Sequence, residues 1–276
     1  FLLRNGPVLA VSRNQANYLQ HEFGIPGEKI EVIPNGIDLD QFAFQRPQPL
    51  DRGPLRLLYV SRLDDDKRNS SFGALELMRC LHRLGVDPHL TIAGDGVTRA
   101  ELEAAASQGV LSGRVRFLGA RVDGIPELMH QHDAVIGWGR AVLEAFATGR
   151  PALVAGLQGL VALVSPANRE HLGQANYSGR QSPAGSPEEI AGELLELLRD
   201  PQMLETRAKT LRDFVERHHD ELALTKRRVE LYEHATAAPT ADTEERTDWL
   251  RVLEARDLRL APLPEPVAPR TRRGYE

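Results

Sequence analysis

Short apolar runs alternate with segments of helical spacing through the middle of the chain. Leu55 to Val60, His89 to Ala93, Val115 to Leu118, Asp133 to Ile136 and Ala152 to Ala155 read as strands buried in a sheet. Between them, Phe72 to Leu84, Arg99 to Ala106, Ile125 to His130 and Val142 to Ala147 read as helices. Strand–helix repetition with short loops predicts an α/β fold, a Rossmann-like parallel sheet with helices on both faces. Upstream, Val8 to Ser12 is strand-like, and Ser12 is placed to cap a helix over Gln15 to Phe23 that Gly24-Ile25-Pro26 stops. Lys29 to Ile33 is a second strand, and Asn35-Gly36 supplies the dihedrals of a turn. Downstream, Ser186-Pro187-Glu188-Glu189 opens a helix to about Arg199 with a Ser cap, Pro at the first position and a capping box. Pro201 opens another to about His218, and a third is expected over Glu221 to His234.

Two stretches resist this pattern. Gly156 to Gly185 is rich in Gly and Ser and shows no clear period, while Thr236 to Glu276 mixes Ala, Pro, Thr and charge. The latter is expected to be a flexible tail, apart from a short helix at Asp248 to Asp257. Gln45 to Pro54 carries three prolines and marks a boundary. The expected organisation is therefore residues 1–45 as an N-terminal remnant and connection, 46–235 as the main domain, and 236–276 as the tail. The chain starts at Phe1 without an initiator methionine, which suggests a fragment or a processed product.

Composition narrows the class. Hydrophobic content of 41% and charged content of 26% are those of a soluble globular protein. No apolar run approaches the ~18 residues that span a bilayer, and no signal-peptide pattern opens the chain. A cytoplasmic location, peripheral at a membrane surface at most, is expected; the Arg270-Thr271-Arg272-Arg273 cluster is too short to decide that. The net charge of −5 argues against nucleic acid as a partner. Cys80 is the single cysteine, which excludes an internal disulfide and a cysteine-built metal site; its apolar neighbours suit core packing. The nine histidines show no metal-ligand spacing, so no residue is assigned to a metal; His218 and His219 are expected at the surface.

Candidate chemistry gathers at strand ends. Gly137-Trp138-Gly139-Arg140-Ala141 is a glycine turn between a strand and a helix, an arrangement that leaves backbone N–H groups free for an anion. Arg140, a cation in the first turn, disfavours the helix by roughly 0.3–1 kcal/mol unless an anion shares it. Glu144, one turn further in, brings a carboxylate to the same place. On local spacing alone, an ordinary strand–turn–helix with Glu144 solvated fits slightly better. Arg62 and Lys67 leave another strand end five positions apart, suited to a diphosphate; a solvated charged loop is the plainer reading. Asp64, Asp65 and Asp66 suggest a metal only weakly, since the flanking cations compete with it, and helix capping suits at least one of them. Gly94-Asp95-Gly96 lacks the third glycine of a dinucleotide fingerprint, because Arg99 stands there.

Taken in order, these motifs resemble the nucleotide-sugar-binding half of GT-B glycosyltransferases, in particular the retaining family 4 group. The likeness runs from about Val8 to Pro201. It rests on Val11-Ser12, Val32-Ile33-Pro34-Asn35-Gly36-Ile37-Asp38, Ser61-Arg62-Leu63 with Lys67, Gly94-Asp95-Gly96, Val115 to Gly119, and Leu143-Glu144-Ala145-Phe146-Ala147 with Gly149-Arg150-Pro151. The resemblance implies an enzyme transferring a sugar from a nucleoside-diphosphate sugar, UDP- or GDP-linked, to a glycan, lipid or small-molecule acceptor, with no further cofactor. Arg62 and Lys67 would hold the diphosphate and serve catalysis, and Glu144 would bind the ribose hydroxyls. The Gly139–Arg140–Ala141 backbone would face the phosphates, and the loop after Gly119 would border the base. Of the two glutamates that the family sets eight positions apart, the first falls on Ile136, which is then expected to face the sugar. The acceptor-binding N-terminal domain would be mostly absent, its place being supplied in cis or in trans. A non-catalytic nucleotide-sugar or carbohydrate-binding module is the first alternative, and a nicotinamide-dependent oxidoreductase the second. Asn176-Tyr177-Ser178-Gly179-Arg180 has no role in any of these readings.

Overall fold

The structure is a computed structural model; it describes residues 7–51, 53–121, 123–180 and 182–237. The sheet at its centre follows from the apolar runs. Strands β3 (Leu55–Val60), β4 (Pro88–Ala93), β5 (Val115–Gly119), β6 (Ala134–Gly137), β7 (Ala152–Gly156) and β8 (Gly159–Leu163) lie in the order β5-β4-β3-β6-β7-β8. The first five pair in parallel, and β8 returns antiparallel to β7. Side chains alternate across a strand, so a sheet covered on both sides needs apolar residues at successive positions. On β3, Leu57 and Tyr59 enter one core with Ile136 and Leu153, against α2 (Arg68–Arg83) and α7 (Pro187–Arg199). Leu58 enters the other with Val135 and Val154, against α5 (Arg140–Ala147) and α8 (Pro201–His218).

The N-terminal segment forms its own two-stranded parallel sheet, β1 (Val8–Ala10) with β2 (Ile30–Val32), joined by α1 (Arg13–Phe23). Ser12 caps α1 as expected, its Oγ accepting from the Gln15 N–H at 3.2 Å. At the other end of the chain, α9 (Glu221–Ala237) returns to this segment. The Ile37 carbonyl accepts from the Glu221 N–H, the Ile37 N–H donates to the His219 carbonyl, and Arg228 donates to the Pro34 carbonyl. The remaining helices, α3 (Arg99–Ala106), α4 (Ile125–His130) and α6 (Arg169–Gln174), flank the main sheet.

Three sequence expectations change here. The stretch Gly156 to Gly185 is ordered: Gly156 and Gly159 pair across a two-residue hairpin that starts β8, and α6 follows. Helix α5 begins at Arg140 rather than Val142. His219 is buried, not at the surface. Its Nδ1 donates to the Asn35 carbonyl at 3.0 Å, and its ring packs on Phe214. Cys80 is buried as expected, and burial pushes its thiol up to about 11, which keeps it protonated and unreactive. The expected tail beyond residue 237, with the helix at Asp248 to Asp257, lies outside the described residues.

Candidate functional site

In an open parallel sheet, ligands bind at the carboxyl ends of the strands where the strand order reverses. Here that point lies between β3, which leads to β4 on one side, and β6, which leads to β7 on the other. Val60 and Gly137 are register partners, so the two strands end level and their loops rise side by side. The loop after β3 carries Arg62 and, through a short helical turn over Asp65–Lys67, Lys67. The loop after β6 carries Trp138 and Gly139 and feeds α5.

Lys67 and Trp138 meet across this gap. The Lys67 ammonium lies over the indole, 2.8 Å from the ring centroid, and also pairs with Asp66 at 3.2 Å. Only 12% of the Lys67 side chain is exposed. Burial lowers its pKa; the Asp66 carboxylate opposes that shift, and the like charges of Arg62 and Arg180 add to it. Arg62 sits differently, with 72% of its side chain exposed and its guanidinium bound to Asp64. The aspartates expected to cap a helix thus neutralise the two cations instead, and no cap bond from Asp64 is made.

Gly139 starts α5 at φ 61° and ψ −119°, a conformation essentially closed to residues with a side chain. Its N–H donates to the Tyr177 carbonyl at 3.1 Å, so this amide, expected to face phosphate, is already engaged. The Arg140 and Ala141 amides follow it at the helix N-terminus, where no intrahelical partner reaches them. Arg140 pairs with Glu144 at 3.3 Å, one turn along the helix. Glu144 is 12% exposed at its side chain, and burial raises its pKa against the lowering effect of Arg140.

Ile136 does not face a sugar. It lies within β6, paired with Tyr59 and Leu153, and is fully buried in the core against α2 and α7. The glutamate spacing fails because β6 runs directly into the Gly137 turn, with no loop to carry an acid outward. Gly119 lies at the end of β5, two strands from β3, which at the usual strand spacing is about 10 Å. Nearby, a side chain at Gly94 would strike the Ser61 carbonyl. Gly94 therefore serves the close approach of the two loops.

A cavity of about 590 Å³ opens beside Lys67 and Trp138. Its wall is completed by Gln15 and Tyr18 of α1 and by Asn176, Ser178 and Arg180. Of the residues expected from sequence, Lys67 is the one in this wall. Trp138, Tyr18 and Arg180 were missed, although the Asn-Tyr-Ser-Gly-Arg run stood out for having no other purpose. A cleft of about 610 Å³ lined by Asp51, Asp87 and Arg199 lies at the amino ends of β3 and β4, the end such sheets do not use for ligands.

Residues 40–214 match the family model described as glycosyl transferases group 1, and residues 5–41 match the one described as glycosyltransferase family 4. The chain is 30% identical over 209 residues to the amylovoran biosynthesis glycosyltransferase AmsK of Erwinia amylovora, covering 69% of this chain and 48% of that protein. It is 27% identical over 177 residues to the 2-deoxystreptamine glucosyltransferase of Streptomyces kanamyceticus, covering 58% and 45%. The chain thus spans about half the length of the curated relatives it matches. Among solved structures it resembles Anabaena Alr3699/HepE in complex with UDP and glucose, with a TM-score of 0.62, 22% identity, and 83% and 63% of the two chains covered. It also resembles WaaG, a glycosyltransferase involved in lipopolysaccharide biosynthesis, with a TM-score of 0.59, 19% identity, and coverage of 81% and 61%. These likenesses are of fold, the GT-B architecture. No helix among the described residues is long and apolar enough to cross a membrane.

Proposed function

The chain belongs to the glycosyl transferases group 1 family, and from that membership we propose that it holds the donor site of an enzyme transferring a sugar from a UDP- or GDP-linked donor to a glycan, lipid or small-molecule acceptor. The observation that carries this reading is the convergence of Lys67, Trp138 and the start of α5 where the strand order reverses. When the bond from sugar to diphosphate breaks, negative charge grows on the leaving phosphate while the sugar becomes oxocarbenium-like. Lys67, held over Trp138, supplies positive charge there, Arg62 reaches the phosphate by giving up Asp64 for it, and the Arg140 and Ala141 amides add oriented dipoles. Glu144 is placed one turn along the same helix to accept from the ribose hydroxyls, and the loop after Gly119 borders the base. The Alr3699/HepE structure was solved with UDP and glucose, which fits a donor of this chemistry.

A thermal-shift panel against UDP, GDP, ADP, their common sugar conjugates and NAD tests the reading. A ligand held only by the folded chain adds roughly 2.7 kcal/mol at a hundredfold excess over Kd. A shift with one nucleoside diphosphate supports the donor site and names the base. A shift with NAD alone, or with nothing, overturns it.

A further inference from the structure

The five residues Asn176 to Arg180 have a backbone that asks for a reason. Asn176 and Tyr177 both take left-handed conformations, at φ 53° and 50°. Asparagine tolerates that region, but a bulky aromatic residue there is strained, and such strain persists only where the surroundings over-determine it. They do so here. The Tyr177 ring is buried edge-on against Phe146 of α5, with centroids 5.6 Å apart. Its carbonyl takes the Gly139 N–H, and Asn176 Oδ1 accepts from Asn35 at 3.4 Å. The segment is thus clamped to the glycine turn of the proposed donor site, and its last residue, Arg180, lines the same cavity as Lys67.

Charge distinguishes Arg180 from the other cations of the site. Arg62 is bound to Asp64 and Lys67 to Asp66. No carboxylate among the described residues pairs with Arg180, although its charge is near enough to act on the Lys67 ammonium. A concave wall holding two like charges, one of them without a counter-ion, attracts an anion. Arginine also offers a fork of donors that matches two phosphate oxygens at once. Building on the donor-site reading, we propose that Arg180 is a third diphosphate-binding residue, held beside Lys67 by the strained Asn176–Tyr177 turn and contributing more to the anion than Arg62 does.

Calorimetry on the whole chain tests this with UDP, GDP, inorganic diphosphate and the free nucleosides as probes. A charge-assisted hydrogen bond contributes about ten- to hundredfold in affinity. Arg180→Gln should therefore weaken both the nucleoside diphosphate and inorganic diphosphate by at least about tenfold while leaving nucleoside binding and the melting temperature unchanged. Arg180→Lys should recover part of the loss, and Arg62→Gln should cost less than Arg180→Gln. Affinity of Arg180→Gln within twofold of the parent, or a larger loss in Arg62→Gln, overturns the assignment. If the parent binds inorganic diphosphate through Arg180 but no nucleoside diphosphate, the cation site stands and the donor reading fails. If it binds neither, both fail.

Discussion

Lys67 and Trp138 come from loops 71 positions apart in sequence, yet the ammonium of one sits over the indole of the other at the point where the strand order reverses. The contact sets where the positive charge of the proposed site lies, because a free lysine side chain would range over several ångströms. A cation held over an indole contributes about 0.5–2 kcal/mol, depending on how far it is desolvated. Trp138→Leu is therefore expected to weaken nucleoside-diphosphate binding without removing any group that touches phosphate. A double-mutant cycle with Lys67→Ala should give a coupling of that size in calorimetry. Strictly additive losses would show that Trp138 acts independently of Lys67.

Ile136 supplies a prediction in the opposite direction to the one its sequence position suggests. Spacing from Glu144 places it where a sugar-binding acid would stand, but the structure buries it completely in the central strand. An unpaired charge in such a place costs roughly 3–5 kcal/mol. Ile136→Glu should thus lower thermal stability severely, whereas Ile136→Val should lose only about 0.5–1.5 kcal/mol. A stable Ile136→Glu protein with an altered ranking of donor sugars would return this position to the site.

The sheet was legible in the sequence because its central strands are short branched apolar runs separated by helical segments, of which α2 carries a buried face and α5 is buried nearly all round. The Ser12 cap and the helix starts at Pro187 and Pro201 were legible for the same local reason. The hairpin into β8 was not, since its two-residue turn lies between glycines inside a stretch otherwise poor in pattern. Lys67 could be found as a cation at a strand end. Its partner Trp138 could not, because their meeting depends on β3 and β6 being neighbours, which no local pattern states. Arg180 was hidden by the same cause: the turn that carries it is fixed by Phe146 and Gly139, both far upstream. His219 looked like one of a polar pair at a helix end, and only the return of the chain past Asn35 buries it.

Glu144 offers a test that separates nucleoside from phosphate recognition. A hydrogen bond to a charged group contributes about 1.5–3 kcal/mol. Glu144→Gln should weaken nucleoside diphosphates by an amount in that range while changing inorganic diphosphate far less. The substitution also removes the pair with Arg140, so Arg140→Gln, which keeps the carboxylate, is the control. Burial raises the Glu144 pKa above its usual 4.5, so the parent should begin to lose nucleoside-diphosphate affinity at a higher pH than an exposed carboxylate would impose. That limb should be missing in Glu144→Gln. Equal losses for both ligands would place Glu144 away from the ribose.

Two buried histidines predict how stability responds to acid. His132 donates through Nδ1 to the Leu128 carbonyl, and its Nε2 lies 2.9 Å from the Thr91 hydroxyl, which donates to it when the ring is neutral. Burial lowers its pKa below the usual 6.5, and burial lowers that of His219 likewise. In both cases the unfolded chain takes up a proton at a pH where the folded chain does not. Stability therefore rises with pH through this window. It is fully present above about 6.5, falls as pH drops from there to the folded-state values, and loses nothing further from these groups below them. Urea unfolding across pH 5 to 8 should show this slope. His132→Gln, whose amide can still bond to Thr91, should flatten the slope even if it lowers stability at neutral pH. A slope unchanged in both His132→Gln and His219→Gln would mean that other groups set the acid limb.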